Sequence, residues 1–390
     1  MEKSKKMDRE QLDKLIEEFD ECFKKEDYKK VLNTCKSLIK TNPKEADLFY
    51  YLASAENALE DKDSALEHFT QAIKLNNEYQ LAYTSRGFIL SQRKQYKEAI
   101  ADFNQAIKLN DRDFTAWNNR GLVKSELKDL QGAIMDYTKA IEIYPKWPVA
   151  YNNRGYVAYK LKNYSLAIKD FTNSLELNPK DSYVYYYRGL AKSQLNDYFG
   201  AIADYNKSIQ LDPNQAPTYN NRGRLKVDVS DLDGAIEDYS KAISLSPKWA
   251  IPYNNRAKIY ALKGDKKLAL ADYNKAIAIT PNDIASLSNR AYLLYSLGEY
   301  RAGIIDCDKI LKLQPTYGLA YCVRGLCRQK LEQYRRALAD LRTATKYSPN
   351  DEKLRQSIML LEGIIEEQKM NNTQGISKNS FGNNENIFKF

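Results

Sequence analysis

Arginine and aspartate recur in this sequence at fixed distances, and their types and spacing allow a specific chemistry. An arginine stands at every 34th position from 86 to 324, and an aspartate follows each one 16 residues later. The pairs are Arg86 and Asp102, Arg120 and Asp136, Arg154 and Asp170, Arg188 and Asp204, Arg222 and Asp238, Arg256 and Asp272, Arg290 and Asp306, and Arg324 and Asp340. Because a planar guanidinium group matches the two oxygens of a carboxylate, this set favours bidentate ion pairs.

The start of the series indicates how these residues pair. Two earlier units have Glu18 and Leu52 in place of the arginine, and they also lack the aspartate, with Thr34 and His68 in its place. Pairing between units would leave Arg86 facing His68, whereas pairing within a unit leaves no charge without a partner. We therefore predict eight structural bridges, each joining two helices of one unit. The functional alternative is an anion-binding ladder of free arginines, which matched carboxylates would weaken.

Asparagines form a second periodic series beside the arginines. Five directly precede an arginine and four stand one position earlier: Asn119, Asn153, Asn221, Asn255 and Asn289, and Asn118, Asn152, Asn220 and Asn254. Asparagine is a mediocre helix former, so its repetition inside a helix needs a reason. A row of amides offers both donors and acceptors and would hold the backbone of an extended peptide. The alternative is a set of amides that are solvated or hydrogen-bonded to one another.

Aromatic residues interrupt the asparagine series once. Five tyrosines of two neighbouring units form this cluster: Tyr156, Tyr159, Tyr183, Tyr186 and Tyr187. Large aromatic side chains often anchor ligands, so the cluster is a candidate specificity site, with plain core packing as the alternative. Arg224 and Lys258 are the basic residues of their own column in later units. We therefore expect a ligand with apolar groups near the centre and acidic groups toward the C-terminal half.

Residues for catalysis or cofactor binding do not occur in a usable combination. The single histidine, His68, is expected on a helix surface. No glycine-rich phosphate loop and no set of Ser, His and Asp can be assembled. Five cysteines, at positions 22, 35, 307, 322 and 327, lack metal-ligand spacing and favour reduced thiols in the cytoplasm. The sequence thus predicts a protein that is not an enzyme and that has no cofactor and no metal.

The elements that carry these residues follow the same period. Within a unit, apolar and small residues at spacings of three and four predict two helices, such as Phe114 to about Glu126 and Gly132 to Ile143. We predict an all-α array that buries its core between neighbouring units. Its ten units are 12–45, 46–79, 80–113, 114–147, 148–181, 182–215, 216–249, 250–283, 284–317 and 318–351.

The pattern resembles the tetratricopeptide repeat (TPR) family. In the fourth unit its residues are Trp117, Gly121, Ala133, Tyr137, Ala140 and Pro145. The resemblance implies a right-handed α-solenoid, a superhelix whose first helices line a concave groove. The asparagine column is similar to the array in the TPR superhelix of O-GlcNAc transferase, which grips peptide backbones. The lysine and asparagine pairs of members that clamp chaperone tails do not assemble in this sequence.

Three segments lie outside the repeats. Residues 1–11 are polar and are expected to be disordered. Residues 352–370 carry Leu354, Ile358, Leu361 and Ile365 on one stripe and are expected to form a C-terminal capping helix. Residues 371–390 are rich in Asn, Ser and Gly and are expected to be a disordered tail, with a docking motif at Ile387-Phe388-Lys389-Phe390 as the alternative.

Composition adds limits on the partner and the compartment. The net charge is +9, but 60 basic residues are balanced by 51 acidic ones, without a run of five basic residues. The first residues lack an apolar signal segment, and no apolar run approaches a membrane span. We predict a scaffold or adaptor that binds an extended segment of a partner protein and neither membrane nor nucleic acid. The expected location is cytoplasmic, or else cytoskeletal or ciliary. An RNA-binding helical repeat and a strut of a large assembly, such as a ciliary complex, are the alternatives.

Overall fold

The computed structural model describes residues 7–348 and 351–374. The chain divides into two compact units, Met1–Leu211 and Asp212–Phe390. Within each unit the described residues form helices joined by short turns, so each unit is an all-α repeat solenoid. The expectations for residues 1–6 and 375–390, including the Ile387-Phe388-Lys389-Phe390 motif, fall outside the described residues.

The first unit consists of six helix pairs, in which odd-numbered helices are the first helices of the repeats and even-numbered ones are the second. These are α1 (Arg9–Lys24), α2 (Tyr28–Leu38), α3 (Ala46–Ala58), α4 (Lys62–Leu75), α5 (Gln80–Gln92), α6 (Tyr96–Leu109), α7 (Phe114–Glu126), α8 (Leu130–Ile143), α9 (Pro148–Lys160), α10 (Tyr164–Leu177), α11 (Ser182–Gln194) and α12 (Tyr198–Leu211). Each first helix packs against the second helix of its own repeat, and α7 and α11 both contact α9.

The second unit consists of four helix pairs and a final helix. These are α13 (Ala216–Asp228), α14 (Leu232–Leu245), α15 (Ala250–Lys263), α16 (Lys266–Ile279), α17 (Ile284–Ser296), α18 (Tyr300–Leu313), α19 (Gly318–Lys330), α20 (Tyr334–Thr345) and α21 (Glu352–Gln374). The first helix α17 contacts both α15 and α19, and α21 packs against α20. None of the helices in the described part of the chain has the length and apolar content needed to cross a membrane.

A residue with left-handed backbone makes the turn inside each repeat. Eight of these ten residues are not glycine and have φ between +58° and +69°: Glu26, Glu60, Lys94, Lys128, Lys162, Asn196, Ser230 and Glu332. The other two are Gly264 and Gly298. Helix α8 begins at Leu130, two residues before its predicted start at Gly132. The reason is a cap, in which the Asp129 carboxylate accepts the N–H of Gly132 at 2.9 Å.

Both ends of the helical region extend beyond the predicted bounds. The first helix begins at Arg9, inside the segment expected to be disordered, because Asp8 caps it. The Asp8 side chain accepts the N–H of Gln11 at 2.9 Å, and the Gln11 side chain accepts the N–H of Asp8 at 3.2 Å. At the other end, α21 continues to Gln374, four residues past the predicted end of the capping helix.

Glycine and aromatic columns form the core between the two helices of a repeat. Aromatic rings of the second helices, such as Tyr137 and Phe171, are buried against glycines of the first helices. A Cβ atom at Gly155 would lie 2.9 Å from Cε1 of Phe171, closer than van der Waals contact permits. The close approach of the helices therefore requires glycine at this position.

Candidate functional site

The arginine and aspartate columns form eight bidentate ion pairs within repeats. Each arginine on a first helix donates from Nε and Nη2 to the two carboxylate oxygens of the aspartate 16 residues later. The Nε to Oδ2 distances are 2.7–3.0 Å and the Nη2 to Oδ1 distances are 2.5–2.9 Å. All eight aspartates are at most 7% exposed. These guanidinium groups are thus held by internal carboxylates.

The third guanidinium nitrogen, Nη1, connects neighbouring repeats. In Arg154 it donates to Oγ1 of Thr138 at 3.0 Å, on the second helix of the preceding repeat. Six further contacts of this kind, at 2.5–3.3 Å, are Arg86 to Thr70, Arg120 to Asn104, Arg188 to Thr172, Arg256 to Ser240, Arg290 to Asn274, and Arg324 to Asp308. Each of these arginines therefore holds three helices together.

A second column of cations, which the sequence analysis missed, supports some of the buried carboxylates. Lys124 lies 2.8 Å from Asp136, and Lys192 lies 2.8 Å from Asp204. Lys226 and Arg328 contact the aspartates of two later repeats in the same way. Each cation stands four residues after an arginine of the main column, and this spacing was the available signal.

His68 lies on a helix and is half-buried, and it takes part in a bridge that the sequence did not indicate. Its Nδ1 lies 2.7 Å from Oε2 of Glu56, a residue that is 2% exposed. The pair joins α3 to α4 in a repeat that lacks the arginine and the aspartate. His68 and Glu56 thus occupy the place of the usual bridge.

Three asparagine pairs are hydrogen-bonded to each other between neighbouring first helices. Nδ2 of Asn153 donates to Oδ1 of Asn118 at 2.9 Å. The pairs Asn255 to Asn220 and Asn289 to Asn254 repeat this contact at 3.1 and 3.0 Å. The three acceptors are buried, at 2%, 6% and 9% exposure. The donors, and likewise Asn119 and Asn221, are only half-buried.

This series of hydrogen bonds is interrupted at Asn152. The next first helix, α11, carries Tyr187 at the position where a donor asparagine would stand. Oδ1 of Asn152 is buried and has no hydrogen-bond partner among the described residues. A phenol ring cannot reproduce the short amide-to-amide contact. The sequence showed the interruption, but not that it leaves a buried acceptor without a donor.

The tyrosine cluster is packed mainly on itself. The ring of Tyr187 lies 5.1 Å from that of Tyr156, 5.3 Å from Tyr186 and 6.4 Å from Tyr159, measured between centroids. Burial raises the pKa of Tyr187 to about 12. These four side chains are half-buried, whereas Tyr183 is 63% exposed. Tyr183 is therefore the member of the cluster that is open to a ligand.

Arg224 and Lys258 are both exposed on first helices of the second unit. Arg224 lies 3.7 Å from Asp228, which is itself partly exposed. Lys258 has no carboxylate within 4 Å in the part of the chain that the structure describes. The two residues hold the same register position, one repeat apart.

Open cavities lie along the surface formed by the first helices of each unit, which we call the first-helix face. In the first unit, one of about 430 Å³ is lined by Asn119 and Phe88, and one of about 160 Å³ by Asn153 and Tyr156. In the second unit, a cavity of about 540 Å³ is lined by Asn289 together with apolar residues of α17 and α19. The sequence had not indicated these cavities.

Family models identify the kind of repeat. Models described as tetratricopeptide repeat match residues 114–146, 148–181, 182–215, 250–283 and 319–351, and a TPR repeat model matches residues 89–128 and 224–264. Together these matches cover more than half of the chain. No curated protein sequence matches it.

Several solved structures are similar to parts of the chain. YrrB, described as a TPR protein with an unusual peptide-binding site, is 24% identical over 47% of this chain and 95% of its own, with a TM-score of 0.43. A tetratricopeptide repeat protein from Parabacteroides merdae is 20% identical over 73% and 98%, with a TM-score of 0.46. Yeast Tom70 is 17% identical over 91% and 96%, with a TM-score of 0.41.

Proposed function

Since the chain belongs to the tetratricopeptide repeat family, we propose that it is a non-enzymatic interaction scaffold whose first-helix face binds an extended segment of a partner protein. The observation that carries the proposal is the position of the cavities. Three of them open on first helices and are lined by residues of the asparagine and aromatic columns. Within each unit, a ligand that follows successive first helices would reach the cavities of that unit.

Half-buried amides supply the polar contacts for such a ligand. Asn153 uses its Nδ2 to bond to Asn118 and lines a cavity, so its carbonyl oxygen is placed to accept an N–H from a bound backbone. Asn119 lines another cavity. Its Oδ1 accepts from Asn118, and its Nδ2 has no hydrogen-bond acceptor among the described residues. The buried acceptors of these hydrogen bonds would hold the half-buried amides in position for the ligand; they are Asn118, Asn220 and Asn254.

The charges favour a protein ligand over RNA. A nucleic acid needs cations that are free to approach its phosphates. The main arginine column is instead bound to buried carboxylates. Exposed apolar side chains on the first-helix face, such as Tyr183 and Ile251, suit a peptide.

The test selects ligands from random dodecapeptides displayed on phage, using the full chain as bait. Affinities of the selected peptides are then measured by fluorescence anisotropy on two matched pairs of variants. Tyr183→Ala and Phe199→Ala remove exposed aromatic residues from a first and a second helix of one repeat. Ile251→Ala and Leu268→Ala do the same with aliphatic residues of a later repeat.

Each selected peptide is expected to lose about tenfold or more in affinity with at least one first-helix variant and to be unaffected by both second-helix variants. Loss of affinity confined to Phe199→Ala or Leu268→Ala would contradict the proposal. Binding of mixed-sequence RNA that falls steeply between low and physiological salt, without peptide binding, would favour the nucleic-acid alternative.

A further inference from the structure

The cavity of the second unit has an apolar lining that is open to solvent. It is formed by the first helices α15, α17 and α19 together with the second helix α16, and has a volume of about 540 Å³. Most of its surface is hydrocarbon, contributed by Tyr292, Leu293, Leu319, Cys322, Val323 and Leu326. Tyr292 and Leu319 are both exposed. A cavity of this size and lining suits a bulky apolar side chain.

The charge around the cavity is positive. The first helices α15, α17 and α19 contain no aspartate and no glutamate, and the one acidic residue of α16, Asp272, is bound to Arg256. Lys266 lines the cavity, and its Nζ donates to the backbone carbonyl of Ser296 at 3.0 Å. Lys258 is exposed on α15 without a carboxylate within 4 Å among the described residues. This field attracts an acidic ligand and repels a basic one.

The register of the helices sets the spacing of such a ligand. Lys258 on α15 and Tyr292 on α17 hold the same position in neighbouring repeats, and these helices are in contact. Axes of packed helices lie about 8–10 Å apart. An extended chain advances about 3.3 Å per residue, so about three residues separate a group at Lys258 from one at the cavity.

We infer that the second unit binds a partner segment that places a leucine or phenylalanine in this cavity and an acidic residue about three positions away, at Lys258. The inference rests on the proposed function and specifies the chemistry of the ligand at one subsite. Apolar burial supplies the affinity at the cavity, and the lysine selects the acidic neighbour.

Cys322 provides a reporter inside the cavity. It is half-buried, whereas Cys22, Cys35, Cys307 and Cys327 are buried. Burial raises the pKa of the Cys322 thiol to about 11, so its alkylation by iodoacetamide is slow and can be followed by mass spectrometry. A ligand in the cavity will slow the reaction at this cysteine.

Three fluorescein-labelled dodecapeptides serve as probes. One carries Leu-Phe flanked on each side by three acidic residues, the second has lysines in place of the acids, and the third has Ser-Ser in place of Leu-Phe. The first peptide is expected to bind the full chain and to slow alkylation of Cys322 at least fivefold. The other two are expected to bind at least tenfold more weakly.

Matched variants locate the site. Lys258→Glu and Leu319→Ser are expected to weaken binding of the first peptide at least tenfold. Lys267→Glu and Ile305→Ser change exposed residues of the second helices and are expected to leave it unchanged. Circular dichroism of all four variants shows whether each is folded.

Several results would overturn the inference. One is equal binding of the acidic and lysine peptides, and another is binding of the acidic peptide without protection of Cys322. Faster alkylation of a chain ending at residue 374, with no peptide present, would assign the cavity to the chain's own segment 375–390. If peptides selected from the random library still depend on Tyr183 or Ile251, only the inference fails and the proposed function stands.

Discussion

The bond between Asn153 and Asn118 decides whether the asparagine column is structural, and Asn153→Ala tests it. Oδ1 of Asn118 is buried and accepts from Nδ2 of Asn153 at 2.9 Å, between helices α7 and α9. The substitution removes this donor from a carbonyl oxygen that is buried in the intact protein. We expect the contact between these two repeats to weaken.

The magnitude follows from two opposing effects. A buried acceptor without a donor costs about 1–3 kcal/mol. Alanine is a better helix former than asparagine, which offsets about 0.5 kcal/mol of this loss of stability. The net loss of about 0.5–2.5 kcal/mol corresponds to an increase of about 2- to 60-fold in the local opening equilibrium, since 1.4 kcal/mol is a factor of ten.

Native-state hydrogen exchange with mass spectrometry is the suitable assay, because repeat arrays open locally and a single global unfolding energy averages over the repeats. Peptides covering α7 and α9 are expected to exchange faster in the Asn153→Ala variant. The matched control is Asn152→Ala on the same helix. It removes an amide whose Oδ1 has no donor among the described residues, and it is expected to slow exchange or to leave it unchanged.

Equal exchange in the two variants would refute the reasoning, because the bond to Asn118 would then contribute nothing to stability. Loss of affinity for a selected peptide in Asn153→Ala, without any change in exchange, would have a different meaning. It would show that the amide of Asn153 serves the ligand and not the neighbouring helix.

Two further predictions concern the frame that supports this face. Arg154→Leu is expected to lower the free energy of local opening of α9 and α10 by about 3–5 kcal/mol in the same hydrogen-exchange assay, because it leaves the fully buried Asp170 without its cation. Arg188→Leu is expected to cost less, because Lys192 remains beside the corresponding carboxylate. Gly155→Ala is expected to cost about 1–3 kcal/mol and to lower the melting temperature, because the added methyl group collides with a buried ring.

Controls for these substitutions are available in the same chain. Equal losses of stability in Arg154→Leu and Arg188→Leu would show that Lys192 does not stabilise the carboxylate of Asp204. For the glycine, the control is Gly363→Ala in α21, where an added Cβ would meet nothing within 4 Å. This control is expected to stabilise its helix by up to about 1 kcal/mol. A similar effect of both glycine substitutions would contradict the packing argument.

The repeats could be predicted from the sequence because their signals are local and recur ten times. From Ala46 onward, the first helices begin at the nine residues named as unit starts. The pairing of Arg154 with Asp170 inside one repeat could be deduced, because the two N-terminal units that lack the arginine also lack the aspartate. Turn residues were harder: Lys128 and seven other residues that are not glycine adopt left-handed backbone, which composition does not reveal.

The candidate site was less predictable because it depends on which atoms meet between repeats. Residue types alone left two possibilities open for Asn118: contact with a ligand, or a hydrogen bond to Asn153. The tyrosines were recognised as a cluster, but their mutual packing, which leaves Tyr183 exposed, depends on rotamers. The cavity beside Leu319 depends on side-chain volumes from four helices, and no single periodic column records it.

The contact from each arginine to the preceding repeat has a consequence for the order in which the chain can fold during synthesis. Arg154, for example, needs Thr138, which lies earlier in the chain, and Asp170, which follows only 16 residues later. A repeat that has just been synthesised therefore finds its neighbour's acceptor already present, and completes its own bridge within its own length. Folding can then proceed from the N-terminus one repeat at a time, without any of these guanidinium groups waiting for a distant part of the chain.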